Sequence, residues 1–258
     1  MVQINTESVL EVKHWNETLF SFSTTRDKSF RFDSGQFVMV GLEIDGRKVM
    51  RAYSIASAHY DEHLEFFSIK APNGALTSHL KNVSPGDEVF IGSKPTGTLL
   101  LSDLLPGERL YLVAGGTGLA PFLSILRDPD TYERFKQVVL IHSVRYRNEL
   151  AYSSYLSYRL RQHDFVGEEA GKKLIYYPTV TREKSENKGR ITHLIRDGVL
   201  AHDIGAPTLN PETDRVMICS GMGMLNDTSA LLDEYGFKAS QGVGRAGDYV
   251  VERAFADQ

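Results

Sequence analysis

From Ser8 to about Leu100 the chain runs in short stretches whose apolar and polar positions alternate: Ser8 to Val12, Leu19 to Thr24, Gln36 to Leu42, Val49 to Ile55, His63 to Ile69 and Glu88 to Gly92. Alternation at a period of two predicts strands with one face buried. Turn signals separate them at Asp33-Ser34-Gly35, Asp45-Gly46 and Pro85-Gly86-Asp87. Short strands at near-regular spacing with little helix predict a closed antiparallel β-barrel. Only Ala75 to Lys81, preceded by Pro72-Asn73-Gly74, reads as helical in this half.

Beyond Ser102 the texture changes. Leu110 to Ala114, Gln137 to Ile141, Leu174 to Tyr177, Val216 to Cys219 and Tyr249 to Val251 are continuous apolar runs. Between them Ala120 to Arg127, Ala151 to Gln162, Ile191 to Leu200 and Asn226 to Tyr235 read as amphipathic helices. That alternation predicts an α/β doubly wound parallel sheet covered on both faces. Two domains follow, residues 1–100 and 101–258, with the seam near Thr98 to Pro106. A chain of 258 residues is long enough for both.

Composition narrows the chemistry. With 41% hydrophobic and 24% charged residues the chain reads as a soluble globular protein. No run approaches the roughly 18 apolar residues of a membrane span, and the first residues lack the basic flank and apolar core of a secretory signal, so the cytoplasm is the expected location. One cysteine, Cys219, excludes an internal disulfide, a cysteine-ligated zinc and an iron-sulfur cluster held within the chain. Redox chemistry therefore requires an organic cofactor. A net charge of −4 gives no overall attraction to nucleic acid.

Four segments carry candidate chemistry. In Arg51-Ala52-Tyr53-Ser54, alternation turns Arg51 and Tyr53 the same way, placing a guanidinium fork beside a flat phenol; a dinucleotide such as FAD has the pyrophosphate and planar ring to match. Taken alone, these residues fit an ordinary barrel strand better. Gly74-Ala75-Leu76-Thr77 turns into a helix, whose first N–H groups attract phosphate; an ordinary helical plug is the other reading, and the two are compatible. Gly115-Gly116-Thr117-Gly118-Leu119-Ala120-Pro121 lies between a strand and a helix, as dinucleotide-binding turns do, although Pro121 replaces the third glycine of the usual fingerprint. Cys219-Ser220-Gly221-Met222-Gly223-Met224 follows a later strand and leaves room for a flat ring; Cys219 as a small buried hydrophobe is the plainer reading.

The strand Val138 to Val144 ends at Arg145, with Arg147 two residues on, and no carboxylate nearer than Glu149. Arg182 and Arg190 follow the next strand. A carboxylate at this strand tip suits the ribose of NAD, whereas cations suit the extra phosphate of NADP, so three arginines at adjacent strand ends favour NADP. His142, His193 and His202 are isolated and read as structural or surface residues.

In order and spacing these four segments resemble the ferredoxin-NADP reductases, and more narrowly their short bacterial type, over nearly the whole chain. The resemblance implies an FAD-binding barrel followed by an NADP-binding domain. It would put Arg51 on the FAD pyrophosphate, Tyr53 against the isoalloxazine, Ser54 near flavin N5, Ala52 among the FAD-binding residues beside them, and Gly74, Ala75, Leu76 and Thr77 on the flavin's phosphates. Thr117 would lie near flavin and nicotinamide, and Arg145, Arg182 and Arg190 would take the 2′-phosphate. Cys219, followed closely by Met222, would sit beside the nicotinamide, Ala254 against the flavin ring, and Phe255 on the adenine. Two departures stand out: Ser220 replaces a common glycine, and where plastid members end in an aromatic residue over the flavin this chain continues through Arg253-Ala254-Phe255-Ala256-Asp257-Gln258, a tail like that of the bacterial subclass except that Gln258 stands where a basic residue is common.

A nicotinamide delivers two electrons as hydride, an iron-sulfur carrier accepts one, and a flavin converts between them. The expected enzyme thus exchanges electrons between NADPH and ferredoxin or flavodoxin as a cytoplasmic monomer, with no nucleic-acid or membrane partner. An NADPH-dependent flavin reductase serving an oxygenase, and a non-catalytic FAD-binding sensor, are the alternatives.

Overall fold

Side chains two apart along a strand share a face, and that period builds the first sheet. In the computed structural model, which describes residues 3–254, β1 (Ile4–His14), β2 (Leu19–Thr25), β3 (Phe37–Ile44), β4 (Arg47–Ser54), β5 (His63–Ile69) and β6 (Glu88–Gly92) pair antiparallel in the order β4-β3-β6-β1-β2-β5. Phe20 with Phe22, Val38 with Val40, Leu64 with Phe66 and Val89 with Ile91 all join one buried cluster. Each such side chain contributes about 1.5–3 kcal/mol when fully buried. Leu76 and Leu80, at the one-turn helix α1 (Thr77–Leu80), complete the cluster from one side.

The expected closed barrel is only partly closed. Edge strands β4 and β5 are joined where Ile55 bridges Phe66 and the Ala56 N–H donates to the Glu65 carbonyl at 2.8 Å. Arg47 and Lys48 keep the far end of β4 in water, as charged residues do on unpaired edges. Strand β1 outruns its expected span because it serves two partners, pairing with β6 from Ile4 to Ser8 and with β2 beyond an irregularity after Val9.

The second sheet is wholly parallel. It contains β7 (Arg109–Gly115), β8 (Gln137–Val144), β9 (Leu174–Val180), β10 (Asp214–Ser220) and β11 (Tyr249–Arg253) in the order β11-β10-β7-β8-β9. Helices α2 (Ala120–Leu126), α3 (Pro129–Arg134), α4 (Gly167–Lys173), α5 (Ile191–Arg196), α6 (Val199–Asp203) and α7 (Met222–Glu234) lie between strands in the chain. Tyr111, Val113, Val139, Ile141, Val216 and Ile218 cluster with residues of α5, α6 and α7. The alternate positions Leu110, Leu112, Val138, Leu140, Met217 and Cys219 are buried as well, so both faces are covered and the apolar runs are unbroken.

Several expected helices change form. Ala151 to Gln162 contains a π-turn at Tyr155–Arg159 followed by a 3-10 turn at Leu160–Gln162. There Arg127 donates to the Tyr155 hydroxyl at 2.9 Å and lies over its ring, a tertiary contact that competes with local helical spacing. The stretch from Ile191 breaks in two at Asp197-Gly198, and α7 begins earlier than expected, at Met222. Helices α3 and α4, six and seven residues long, are too short to show a period in sequence.

The described residues divide into two compact units, 3–97 with 120–125, and 98–119 with 126–254. At the amino-terminal end of the second unit's sheet, Arg109 donates to both carboxylate oxygens of Asp214, at 2.6 and 2.9 Å, holding β7 to β10 at the ends away from the glycine turn.

Candidate functional site

In the first unit, β4 presents Arg51 opposite Val40 and Tyr53 opposite Val38. Arg51 is half-buried and its Nη1 donates to the Met50 carbonyl at 2.9 Å. Tyr53 is only 8% exposed and meets Phe66 edge-on at 6.4 Å, so its ring is a packed wall rather than an open platform. Ala52 is exposed and Ser54 half-buried on the alternate positions.

Gly74 opens the α1 turn at a close approach: a Cβ there would stand 2.1 Å from Thr77 Oγ1. Thr77 is buried with its hydroxyl donating to the Ala71 carbonyl at 3.4 Å, a long bond that leaves the oxygen's lone pairs available. Because α1 has four residues, its macrodipole is small; any phosphate affinity here comes from the first N–H groups of the turn. Packing of Leu76 and Leu80 in the same cluster as Tyr53 ties this turn to the core beneath β4.

In the second unit the glycine turn lies directly on the end of β10. A Cβ on Gly118 would stand 2.0 Å from the Cys219 carbonyl oxygen, and one on Gly115 would stand 2.7 Å from Ser220 Cβ. Ser220 is thus accommodated by the bare Gly115. Thr117 is buried, and its Oγ1 is among the described buried polar atoms without a hydrogen-bond partner. Such an orphan is costly unless something else binds it.

Cys219 is buried between neighbours on both sides, in register with Ala114 of β7 and Glu252 of β11. Burial, with the Glu252 carboxylate beside it, pushes the thiol well above its usual pKa, so it stays protonated at neutral pH. The Ala254 N–H continues the ladder, donating to the Ser220 carbonyl at 2.9 Å. Met222, 44% exposed, starts α7. Phe255 lies outside the described residues.

Two residues here gain a role that the sequence did not assign: His142, read there as structural or surface, and Glu252, which was not singled out. His142 is fully buried under the glycine turn, with Nε2 3.2 Å from the Gly116 carbonyl and Nδ1 3.3 Å from the Tyr176 hydroxyl. Burial lowers its pKa to about 4, partly offset by the Gly116 bond, so it is a neutral rivet for the turn. Glu252 receives a hydrogen bond from the Thr98 N–H at 3.1 Å and lies 3.5 Å from the Thr98 hydroxyl, which donates chiefly to the Val251 carbonyl at 2.7 Å. Desolvation pushes its pKa up to about 7 despite the Thr98 donors. The signal was a lone carboxylate closing the apolar run Tyr249 to Val251.

The sign of that shift makes a prediction. Between about pH 4.5 and 7 folded Glu252 holds its proton while the unfolded chain releases it, so this group makes stability fall as pH rises through that window and levels off above it. Glu252→Gln should remove that slope. The variant should gain about 2 kcal/mol over the parent at pH 8, a figure discounted because the carboxyl still reaches solvent. Denaturant titrations at pH 5 and 8 check it, and identical slopes in both proteins would refute it.

At the other strand ends, backbone bonds gather the arginines. The Arg182 N–H donates to the Arg145 carbonyl at 3.0 Å, setting the two residues side by side past β8 and β9. The following loop folds back on β9: Gly189 N–H donates to the Val180 carbonyl at 3.2 Å and Thr179 Oγ1 to the Gly189 carbonyl at 3.0 Å, bringing Arg190 to the same edge. All three arginines are exposed. Glu149 does not face outward; its Oε2 accepts the Arg145 and Tyr146 N–H groups at 2.8 and 3.0 Å.

Residues 7–99 match the oxidoreductase FAD-binding domain family and residues 112–230 the oxidoreductase NAD-binding domain family. With this fold they define a two-domain flavin oxidoreductase that uses a nicotinamide nucleotide. Its residues fit those groups: a tight glycine turn with a buried hydroxyl stands in each unit, the second hydroxyl unpartnered, with a cationic fork beside a packed phenol in the first. The chain is 57% identical over 258 residues, all of both chains, to the ferredoxin–NADP reductase of Azotobacter vinelandii. It is 37% identical over 225 residues to the flavodoxin/ferredoxin–NADP reductase of Escherichia coli K12, covering 86% of this chain and 87% of that one. A crystal structure of a ferredoxin NADP+ reductase from Neisseria gonorrhoeae with bound FAD and NADP superposes with a TM-score of 0.89 at 30% identity, covering 99% of this chain and 100% of that one. The chain belongs to the ferredoxin–NADP reductase family, and its cofactors are FAD and NADP(H).

Proposed function

We propose that this chain exchanges electrons between NADPH and a one-electron carrier protein, ferredoxin or flavodoxin. The observation that carries the nucleotide half of this reading is the pair Arg145 and Arg182, joined through their backbones at 3.0 Å where a carboxylate would otherwise serve NADH. Relatives named for ferredoxin and flavodoxin support the carrier half.

When bound, FAD accepts the electron pair of a hydride and returns it in single steps. The chain's own residues bind and align. Arg51 offers a guanidinium fork to the pyrophosphate, Tyr53 a fixed wall for the ring, and Gly74 through Thr77 a phosphate turn. Ser54 supplies a hydroxyl toward flavin N5, and Ala52, exposed on the same face of β4, lies against the FAD beside it. Thr117 gives its unpartnered hydroxyl to the cofactor side of the glycine turn. Cys219, a protonated thiol, and Met222 bound the nicotinamide pocket without supplying charge, and Ala254 presents a small face against the flavin. Arg145, Arg182 and Arg190 take the 2′-phosphate, and Phe255 the adenine. We further assign the barrel to residues 1–100 and the nucleotide domain to 101–258, and expect a monomer in the cytoplasm. Among the described residues no helix is long and apolar enough to cross a membrane.

Anaerobic titration of the purified yellow protein tests this. NADPH should bleach the chromophore at least about tenfold faster than equal NADH, the least that one added charge-assisted contact would give. Adding ferredoxin or flavodoxin should then restore the colour. Equal rates with both nucleotides would overturn the arginine assignment, and absence of any bleaching would leave only a flavin-binding role.

A further inference from the structure

The carboxylate nearest the strand tip is turned onto the backbone of its own turn. Glu149 Oε2 accepts both the Arg145 and Tyr146 N–H groups, at 2.8 and 3.0 Å, closing the chain after β8 into a single 3-10 turn at Arg147–Glu149. Charge-assisted bonds from two successive N–H groups to one oxygen fix the backbone on which the Arg145 side chain stands. A second carboxylate works from the neighbouring loop: Glu183 accepts the Arg147 N–H, while the Arg147 guanidinium donates to the Lys184 carbonyl. Between these joints, Thr181 donates to the Val144 carbonyl through its N–H at 3.0 Å and its hydroxyl at 3.2 Å, and the Arg182 N–H donates to the Arg145 carbonyl.

The loops carrying Arg145 and Arg182 are therefore welded along their length before any ligand arrives. An exposed arginine ordinarily loses rotamer freedom and backbone freedom when it grips a phosphate, and here the backbone part has already been removed. The two acids that do the welding would repel a phosphate if they faced it. Turned onto backbone N–H groups, Glu149 spends its charge on the turn instead.

Resting on the 2′-phosphate reading above, we infer that Glu149 is a positioning residue for NADPH selectivity: it holds the Arg145 backbone in register with Arg182, and Glu183 braces the same joint through Arg147. NADH, lacking the phosphate, makes no use of the joint. The same residue type that confers NAD preference when it faces a ribose thus serves the opposite preference when it faces the backbone.

Steady-state kinetics of the FAD-loaded enzyme with both nucleotides tests this. Glu149→Ala should raise KM for NADPH about tenfold, with kcat and KM for NADH moving less than about twofold, the split expected when binding of one group alone is lost. Glu149→Gln, whose amide oxygen can accept the same two N–H groups, should recover most of the loss. Should Glu149→Ala fail to fold, Glu183→Ala loosens the joint from its other side and should show the same split. Arg145→Ala is run beside them. If it raises KM for NADPH while the glutamate variants leave it unchanged, or raise KM for both nucleotides alike, the positioning role is refuted and the phosphate site stands. If Arg145→Ala itself leaves NADPH preference intact, the site assignment fails and the positioning role fails with it.

Discussion

Arg51→Ala is expected to emerge from purification nearly colourless, with FAD affinity reduced 30- to 100-fold or so, the equivalent of about 2–3 kcal/mol for charge-assisted bonds to a pyrophosphate. The side chain stands on β4 in register with Val40, half-buried, with one nitrogen already held by the Met50 carbonyl at 2.9 Å. That bond orients the guanidinium, so a lysine placed there keeps the charge but loses the fork. Arg51→Lys should fall between parent and alanine. The fold should survive both changes, because the cluster beneath β4 rests on Val38, Val40, Tyr53 and Phe66 and does not include Arg51. Absorbance of bound flavin against protein, followed by FAD titration of the apoprotein, measures the effect. Full flavin occupancy in Arg51→Ala would remove this residue from the site.

Gly118→Ala attacks the second unit at its tightest point. The added methyl would lie 2.0 Å from the Cys219 carbonyl oxygen and 2.7 Å from the carbonyl carbon, so the glycine turn and the end of β10 must part. Overpacking against backbone costs about 2–4 kcal/mol, which for a protein of this size lowers Tm by roughly 5–12 °C. Because Thr117 and Cys219 both move when the turn lifts, the rate of reduction by NADPH should fall about 100-fold, as it does when reacting groups are misplaced by an ångström. Gly223→Ala is the control. Nothing lies within 4 Å of that position and it sits in α7, where alanine is favoured, so stability should hold or rise by up to about 1 kcal/mol. A Gly118→Ala protein with parental Tm and parental reduction rate would show that the close approach carries no function.

Much of the architecture could be read from the chain because its two halves use different periods. Alternation in Phe20 and Phe22 or Val38 and Val40 marks a sheet buried on one side, and the unbroken run Leu110 to Ala114 marks one buried on both. Element ends were less legible. The π-turn at Tyr155–Arg159 depends on Arg127, a residue 28 positions away whose bond to Tyr155 no local pattern announces. Closure of the first sheet depends on one bridge, Ile55 to Phe66, between strands separated by a loop. Within the candidate site, the glycine turn and the arginines stood out as residue types at strand ends, whereas His142 and Glu252 looked ordinary. Their character comes from burial, which lowers one pKa to about 4 and raises the other to about 7.

The order of the strands' periods, the glycines at strand-to-helix turns and the arginines after β8 and β9 were written in the sequence, since each follows from local sterics or from a residue's own charge. Which atoms those residues face was decided only by the tertiary structure. Glu149 could have presented its carboxylate to a ribose, yet its oxygen is 2.8 Å from the Arg145 N–H and 3.0 Å from that of Tyr146. Cys219 and Glu252, 33 positions apart, became neighbours because two parallel strands pair in one register, and their protonation follows from the dielectric they share. A pattern along the chain fixes what a side chain is able to do, while the medium and partners around it, set by contacts between distant segments, fix which of those things it does.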